Sequence, residues 1–160
     1  MLGYAICQTE VASGRRILNK AVSSDFDHND LAGRTSCMAS ILVVDDEKPV
    51  RDLLHIALTQ DNHNVLLAKN GREAVELQQN HQFDLVITDM VMPEKNGIDL
   101  IMELKKKNPA SKVLAISGGG GIDGRFDYLS IAKLIGAEHI ISKPFDLKTI
   151  REKVSATLGV

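Results

Sequence analysis

Five short apolar runs constrain this chain more than any other feature of it. "ILVV" (41–44), "NVLLA" (64–68), "DLVIT" (84–88), "KVLAIS" (112–117) and "HIIS" (139–142) recur along the sequence. They are largely apolar without alternation, as strands covered on both faces must be. Between them lie segments with helical spacing, beginning near Lys48, Gly71, Gly97, Gly124 and Leu147. Val50, Leu53, Leu54, Ala57 and Leu58 form one apolar stripe, and Leu147, Ile150, Val154 and Leu158 another. Pro109 falls just past the third segment, where a proline helps end a helix. Five strands alternating with five helices predict an open parallel α/β sandwich with right-handed crossovers.

The ends of the runs are polar. Asp45-Asp46, Asp89, Ser117 and Lys143-Pro144 follow or close four of the five. In a parallel sheet these positions share the carboxyl edge, where ligands bind at the point at which strand order reverses. An aspartate in that place commonly caps the next helix, and a lone lysine is commonly solvated. Together they are harder to dismiss. Three carboxylates in one pocket repel, and a divalent cation relieves that repulsion. Oxygen donors without nearby His or Cys favour Mg²⁺ over Zn²⁺. His55, His63, His81 and His139 form no spaced cluster. A lysine and a hydroxyl beside such a cation are what a phosphoryl group needs for charge neutralisation.

Here the chain resembles the response-regulator receiver domains of two-component signalling. The resemblance rests on "LVVDDE" (42–47), "DLVITDMVMPEKNG" (84–97), "LAIS" (114–117) and "ISKPF" (141–145), and covers roughly residues 40–158. It implies a flavodoxin-like, five-stranded parallel sheet in the order 2-1-3-4-5, with helices on both faces. Asp89 would be the phosphoacceptor. Asp46, Asp89 and the Val91 backbone carbonyl would hold Mg²⁺, with Asp45 acting mostly through water. Lys143 and Ser117 would bind the phosphoryl group, supported by Gly118 and by Pro144 after a cis peptide. The phosphoryl donor would be a sensor histidine kinase or a histidine phosphotransfer protein. The family often carries an aromatic residue three positions before the lysine. Here Ile140 stands there, so switching is expected to rest on the loop after Ser117 and the fourth helix.

Residues 1–37 are expected to be a mobile N-terminal extension, and residues 38–160 the receiver domain. "SSDFDHNDLAGRTS" (23–36) is polar and aperiodic, and "VASGRRILNKAV" (11–22) offers a short helix weakened by Gly14. Few residues follow Val154, so a single-domain receiver is expected, signalling by docking on a downstream protein. Phe126, Tyr128, Ile140 and Arg151 are the candidates for its docking surface. A net charge of −2 gives no reason to expect direct nucleic-acid contact or an anionic membrane. The two cysteines, Cys7 and Cys37, are no disulfide framework, and no run reaches the roughly 20 apolar residues of a membrane span. A cytoplasmic protein is expected.

Three other readings compete. An enzyme with an aspartyl-phosphate intermediate typically places an acid two residues after its nucleophile, where this chain has Val91. No turnover of a diffusible substrate is therefore expected. A flavin or nucleotide module would need a phosphate loop after the first strand, where "DDEK" is acidic. A receiver fold could also serve as a constitutive binding module, against which the intact acidic set argues. Gly119, Gly121 and Gly124 match a dinucleotide fingerprint, but they follow the fourth run rather than the first. Beside Ser117 they read as a loop that changes conformation at low steric cost.

Overall fold

A computed structural model describes residues 10–12, 15–17, 38–118 and 128–160. The chain divides into two units, Met1–Gly33 and Arg34–Val160. In the first, β1 (Glu10–Ala12) pairs antiparallel with β2 (Arg15–Ile17). For residues 11–22 the sequence offers only a short helix weakened by Gly14, within an extension expected to be mobile. The helix-weakening Gly14 lies between the two strands, and β-branched Val11 and Ile17 favour extended backbone.

The second unit alternates strand and helix throughout. It comprises β3 (Ser40–Val44), α1 (Lys48–Gln60), β4 (Asn64–Ala68), α2 (Gly71–Asn80), β5 (Leu85–Asp89), α3 (Gly97–Lys107), β6 (Val113–Ser117), α4 (Tyr128–Leu134), β7 (His139–Ser142) and α5 (Leu147–Leu158). The strands form one parallel sheet in the order β4-β3-β5-β6-β7, which is 2-1-3-4-5 counted within this unit. Four helices begin at the residues expected from spacing. The fourth was expected near Gly124; residues 119–127 lie outside the described residues, and α4 is described from Tyr128.

Successive strand residues point to opposite faces, so each strand feeds two cores. Ile41, Val43, Leu85, Ile87, Leu114 and Ile116 face one way and pack with Leu54 and Leu58 of α1 and Ile150 and Val154 of α5. Leu42, Val44, Val86, Val113 and Ala115 face the other way, against Ala74 of α2, Leu100, Ile101 and Leu104 of α3, and Ala132 of α4. Burial on both faces explains why the runs do not alternate in polarity. Helix starts are fixed by side-chain caps. Asn70 accepts from Glu73 N–H at 2.9 Å, Asn96 from Asp99 N–H at 2.9 Å, and Asp146 from Thr149 N–H at 2.7 Å. Lys105, Lys106 and Lys107 occupy the last turn of α3, where cations suit the helix dipole. No helix among the described residues is long and apolar enough to cross a membrane.

The turn into β4 carries a titrating group. His63 Nδ1 accepts the Ala39 N–H at 3.4 Å. Burial pushes the His63 pKa below the ordinary imidazole value, against the opposing charge of Asp61. The folded state thus binds fewer protons here than the unfolded chain. This contribution to stability is full above about pH 6.5 and is lost as pH falls through the folded pKa. His63→Gln keeps an acceptor but cannot take a proton, so its Tm should fall less than wild type's between about pH 7 and pH 5. Parallel Tm–pH curves for the two proteins would remove His63 as the cause.

Candidate functional site

The sheet delivers its polar residues to one edge, and hydrogen bonds continue past the strands to fix them there. Asp45 N–H donates to Ala68 O at 3.2 Å, Met90 N–H to Ile116 O at 2.8 Å, and Lys143 N–H to Ser117 O at 2.7 Å. The backbone around the site therefore inherits the rigidity of the sheet. Asp45, Asp89 and Ser117 are buried, with 1%, 4% and 2% of their surface exposed. Burial this complete demands partners for both carboxylates.

Lys143 supplies the charge. Its ammonium donates to Asp89 Oδ2 at 2.6 Å, to Asp45 Oδ2 at 2.9 Å and to Glu47 Oε1 at 2.9 Å. The remaining oxygens of the two aspartates take backbone donors. Val91 N–H reaches Asp89 Oδ1 at 2.9 Å, and Glu47 N–H reaches Asp45 Oδ1 at 2.8 Å. Burial raises the Asp45 pKa above the ordinary carboxylate value, although the Lys143 and Glu47 hydrogen bonds pull the other way. Burial also opposes charge on Lys143. Its hydrogen bonds to Asp89, Glu47 and Asp45 outweigh that, and the ammonium is held more firmly protonated than a free lysine.

Asp45, Glu47 and Asp89 each present an oxygen within 4.8 Å of the others. Three carboxylates around one ammonium leave the pocket negative, and hard oxygen donors suit a hard divalent cation. Asp46 is exposed and is not one of the three. Ser117 ends β6 at the same edge, in register with Ser142. The Lys143-Pro144 peptide is cis, as the resemblance implied. Gly118 is exposed, with open space where a side chain would project.

The structure thus brings together Asp45, Asp89, Ser117 and Lys143, and adds Glu47, which reasoning from strand ends passed over. Its signal was present in "LVVDDE"; only the start of α1 at Lys48 turns that carboxylate back to the lysine. The expected docking residues have other contacts. Tyr128 and Ile140 pack half-buried on the core beneath α2 to α4. Arg151 Nε donates to Asp61 Oδ2 at 2.7 Å, at the end of α1. Phe126 and Gly119, Gly121 and Gly124 lie outside the described residues.

A doubly wound parallel sheet with an acidic, lysine-bridged pocket at the carboxyl ends of its strands defines a class of domain. A family model described as the response regulator receiver domain matches residues 41–155, and the chain belongs to that family. It is 36% identical over 117 residues to the response regulator protein PilR of Pseudomonas aeruginosa, covering 73% of this chain and 25% of PilR. A probable transcriptional regulatory protein of Picosynechococcus is 32% identical over 144 residues, covering 86% of this chain and 56% of that protein. The chain therefore spans a quarter to just over half of these relatives. Among solved structures, the response regulator TrrA of Thermotoga maritima in complex with Mg²⁺–BeF superposes with a TM-score of 0.64. It is 32% identical, over 75% of this chain and 99% of that one.

Proposed function

We propose that this chain is a phosphorylation-gated signalling module in which Asp89 accepts a phosphoryl group from a histidine kinase or a histidine phosphotransfer protein. The observation that carries this reading is the Lys143 ammonium, 2.6 Å from the buried Asp89 and 2.9 Å from Asp45. An ordinary core lysine has no reason to sit among carboxylates at a sheet edge. The carboxylate of Asp89 attacks phosphorus, the bond to the donor imidazole breaks, and that imidazole keeps the electron pair. The product is an acyl phosphate on Asp89. Lys143 then exchanges its Asp89 contact for a phosphoryl oxygen, and the Ser117 hydroxyl donates to another.

The donor set fits Mg²⁺. Asp89 and the Val91 carbonyl would hold it directly, joined by Asp46, which is exposed and would have to turn in toward the gathered Asp45, Glu47 and Asp89 oxygens. Asp45 would act mostly through water, and Glu47 balances Lys143. Bound there, the ion offsets negative charge on the transferred group. The similar TrrA structure in complex with Mg²⁺–BeF supports Mg²⁺ as the ion, without bearing on which residues hold it. The phosphorylated domain docks on a downstream protein in the cytoplasm, through the surface of α4, β7 and α5 around Tyr128, Ile140 and Arg151. No diffusible substrate is turned over.

The test uses a small acyl phosphate as donor. In Mg²⁺ the protein should gain one phosphoryl group by intact mass, and chelation should abolish the gain. Equal uptake with and without chelator, or none in either, rejects the reading.

A further inference from the structure

The loop between β5 and α3 carries Val91, and its shape depends on a residue in an unfavourable backbone conformation. Glu94 has φ 65°, in the left-handed region that side chains other than glycine's rarely adopt. We propose that Asn70 and Glu94 are positioning residues, whose mutual hydrogen bond latches this loop so that the Val91 carbonyl is set for Mg²⁺. The proposal rests on the Mg²⁺ reading above.

Four contacts define the latch. Asn70 Nδ2 donates to Glu94 Oε2 at 3.0 Å, and Gly71 N–H donates to Lys95 O at 3.3 Å. The Lys95 ammonium pairs with Glu103 of α3, and Gly97 N–H donates to Met90 O at 3.2 Å. The loop is thereby closed at its neck by Met90 and Gly97, and pinned near its tip by Asn70 and Gly71. Val91 lies between these two anchors.

Asn70 is buried, and its Oδ1 is already used by the Glu73 N–H to cap α2. Its two amide ends therefore join the start of α2 to the phosphoacceptor loop. Glycine would occupy position 94 at lower conformational cost. A glutamate held there against that cost, with its carboxylate on a buried amide, points to a side-chain role. Neither residue touches the reacting atoms, so the role is to position. Outer partners of this kind commonly change metal affinity by about tenfold or more.

Three variants of the full chain separate positioning from stability and from charge. Glu94→Gly removes the latch and also the backbone strain. Its Tm should equal or exceed wild type's, while its Mg²⁺ Kd by calorimetry rises on the order of tenfold. Amide exchange at Val91 to Lys95 should quicken in the metal-free protein. Asn70→Ser keeps a cap acceptor but loses the amide donor, and should weaken Mg²⁺ binding to the same extent. Glu94→Gln keeps an oxygen for Asn70 without the charge, and should bind within about twofold of wild type. Unchanged Mg²⁺ affinity in Glu94→Gly overturns the proposal, as does an equal loss in Glu94→Gln. Failure of wild type itself to bind Mg²⁺ rejects the Mg²⁺ reading instead. Metal-free exchange then decides the latch: faster in Glu94→Gly and not in Glu94→Gln sustains it, and equal rates in all three proteins overturn it.

Discussion

Asp89→Asn should take up no phosphoryl group from a small acyl phosphate, a loss on the order of a thousandfold or more. The expectation follows from what the substitution leaves alone. Asparagine has the same shape, and its Oδ1 can still accept the Val91 N–H that reaches Asp89 Oδ1 at 2.9 Å. The amide NH2 that replaces Oδ2 cannot accept from Lys143, which must shift away from it and keeps Asp45 and Glu47 as partners, both at 2.9 Å in wild type. Removing one of three crowded carboxylates also eases their mutual repulsion. The variant should therefore fold, with a far-UV spectrum like wild type's, and fail only at chemistry. An amide oxygen is too weak a nucleophile to form the acyl phosphate. Intact-mass measurement in Mg²⁺ reads the result directly. Labelling of Asp89→Asn at the wild-type rate would place the phosphoryl group elsewhere and end the assignment of Asp89.

The parts of the fold legible from sequence were those set by local pattern. Ile41 to Val44 and Val113 to Ile116 are apolar at every position because both faces of the sheet are covered, and that leaves its mark residue by residue. Gly71, Gly97 and Leu147 open helices at the expected places because Asn70, Asn96 and Asp146 cap them. Asp45, Asp89, Ser117 and Lys143 could be gathered in advance because parallel strands share one carboxyl edge. Contacts that depend on how loops return were not legible. Glu47 meets Lys143 across 96 residues of sequence, and Asn70 meets Glu94 across 24. Nothing in either local sequence encodes the partner. The pairing of Glu10–Ala12 with Arg15–Ile17 was not legible for a related reason. Three-residue strands carry too little pattern to outweigh a weak helical stripe, and only their pairing reveals them. Tyr128 and Ile140 show a further limit. A half-buried residue at a helix start or on an edge strand can serve packing and docking at once, and sequence does not separate the two.

Gly97→Ala should be the most destabilising small substitution near the site. A Cβ at position 97 would lie 2.0 Å from the Asp89 carbonyl oxygen and 2.8 Å from Met90 Cα. Both are backbone atoms, so no side chain can rotate away to make room. Asp89 O belongs to the last residue of a central strand and also accepts the buried Thr88 hydroxyl at 3.0 Å. Relief must come from moving α3 away from β5. That breaks the Gly97 N–H bond to Met90 O and opens the packing of Leu100, Ile101 and Leu104. Overpacking that displaces backbone costs about 3 kcal/mol or more, on the order of 10 °C in Tm for a domain of this size. Gly118→Ala is the control, because an added Cβ there meets nothing within 4 Å. Its unfolding midpoint should stay close to wild type's. Displacement of α3 also drags the peptide that follows the phosphoacceptor. The folded fraction of Gly97→Ala should therefore label more slowly than wild type at a temperature where both are folded. A Gly97→Ala midpoint no lower than that of Gly118→Ala would mean that β5 and α3 tolerate the overlap, and that this glycine has no steric part in placing Asp89.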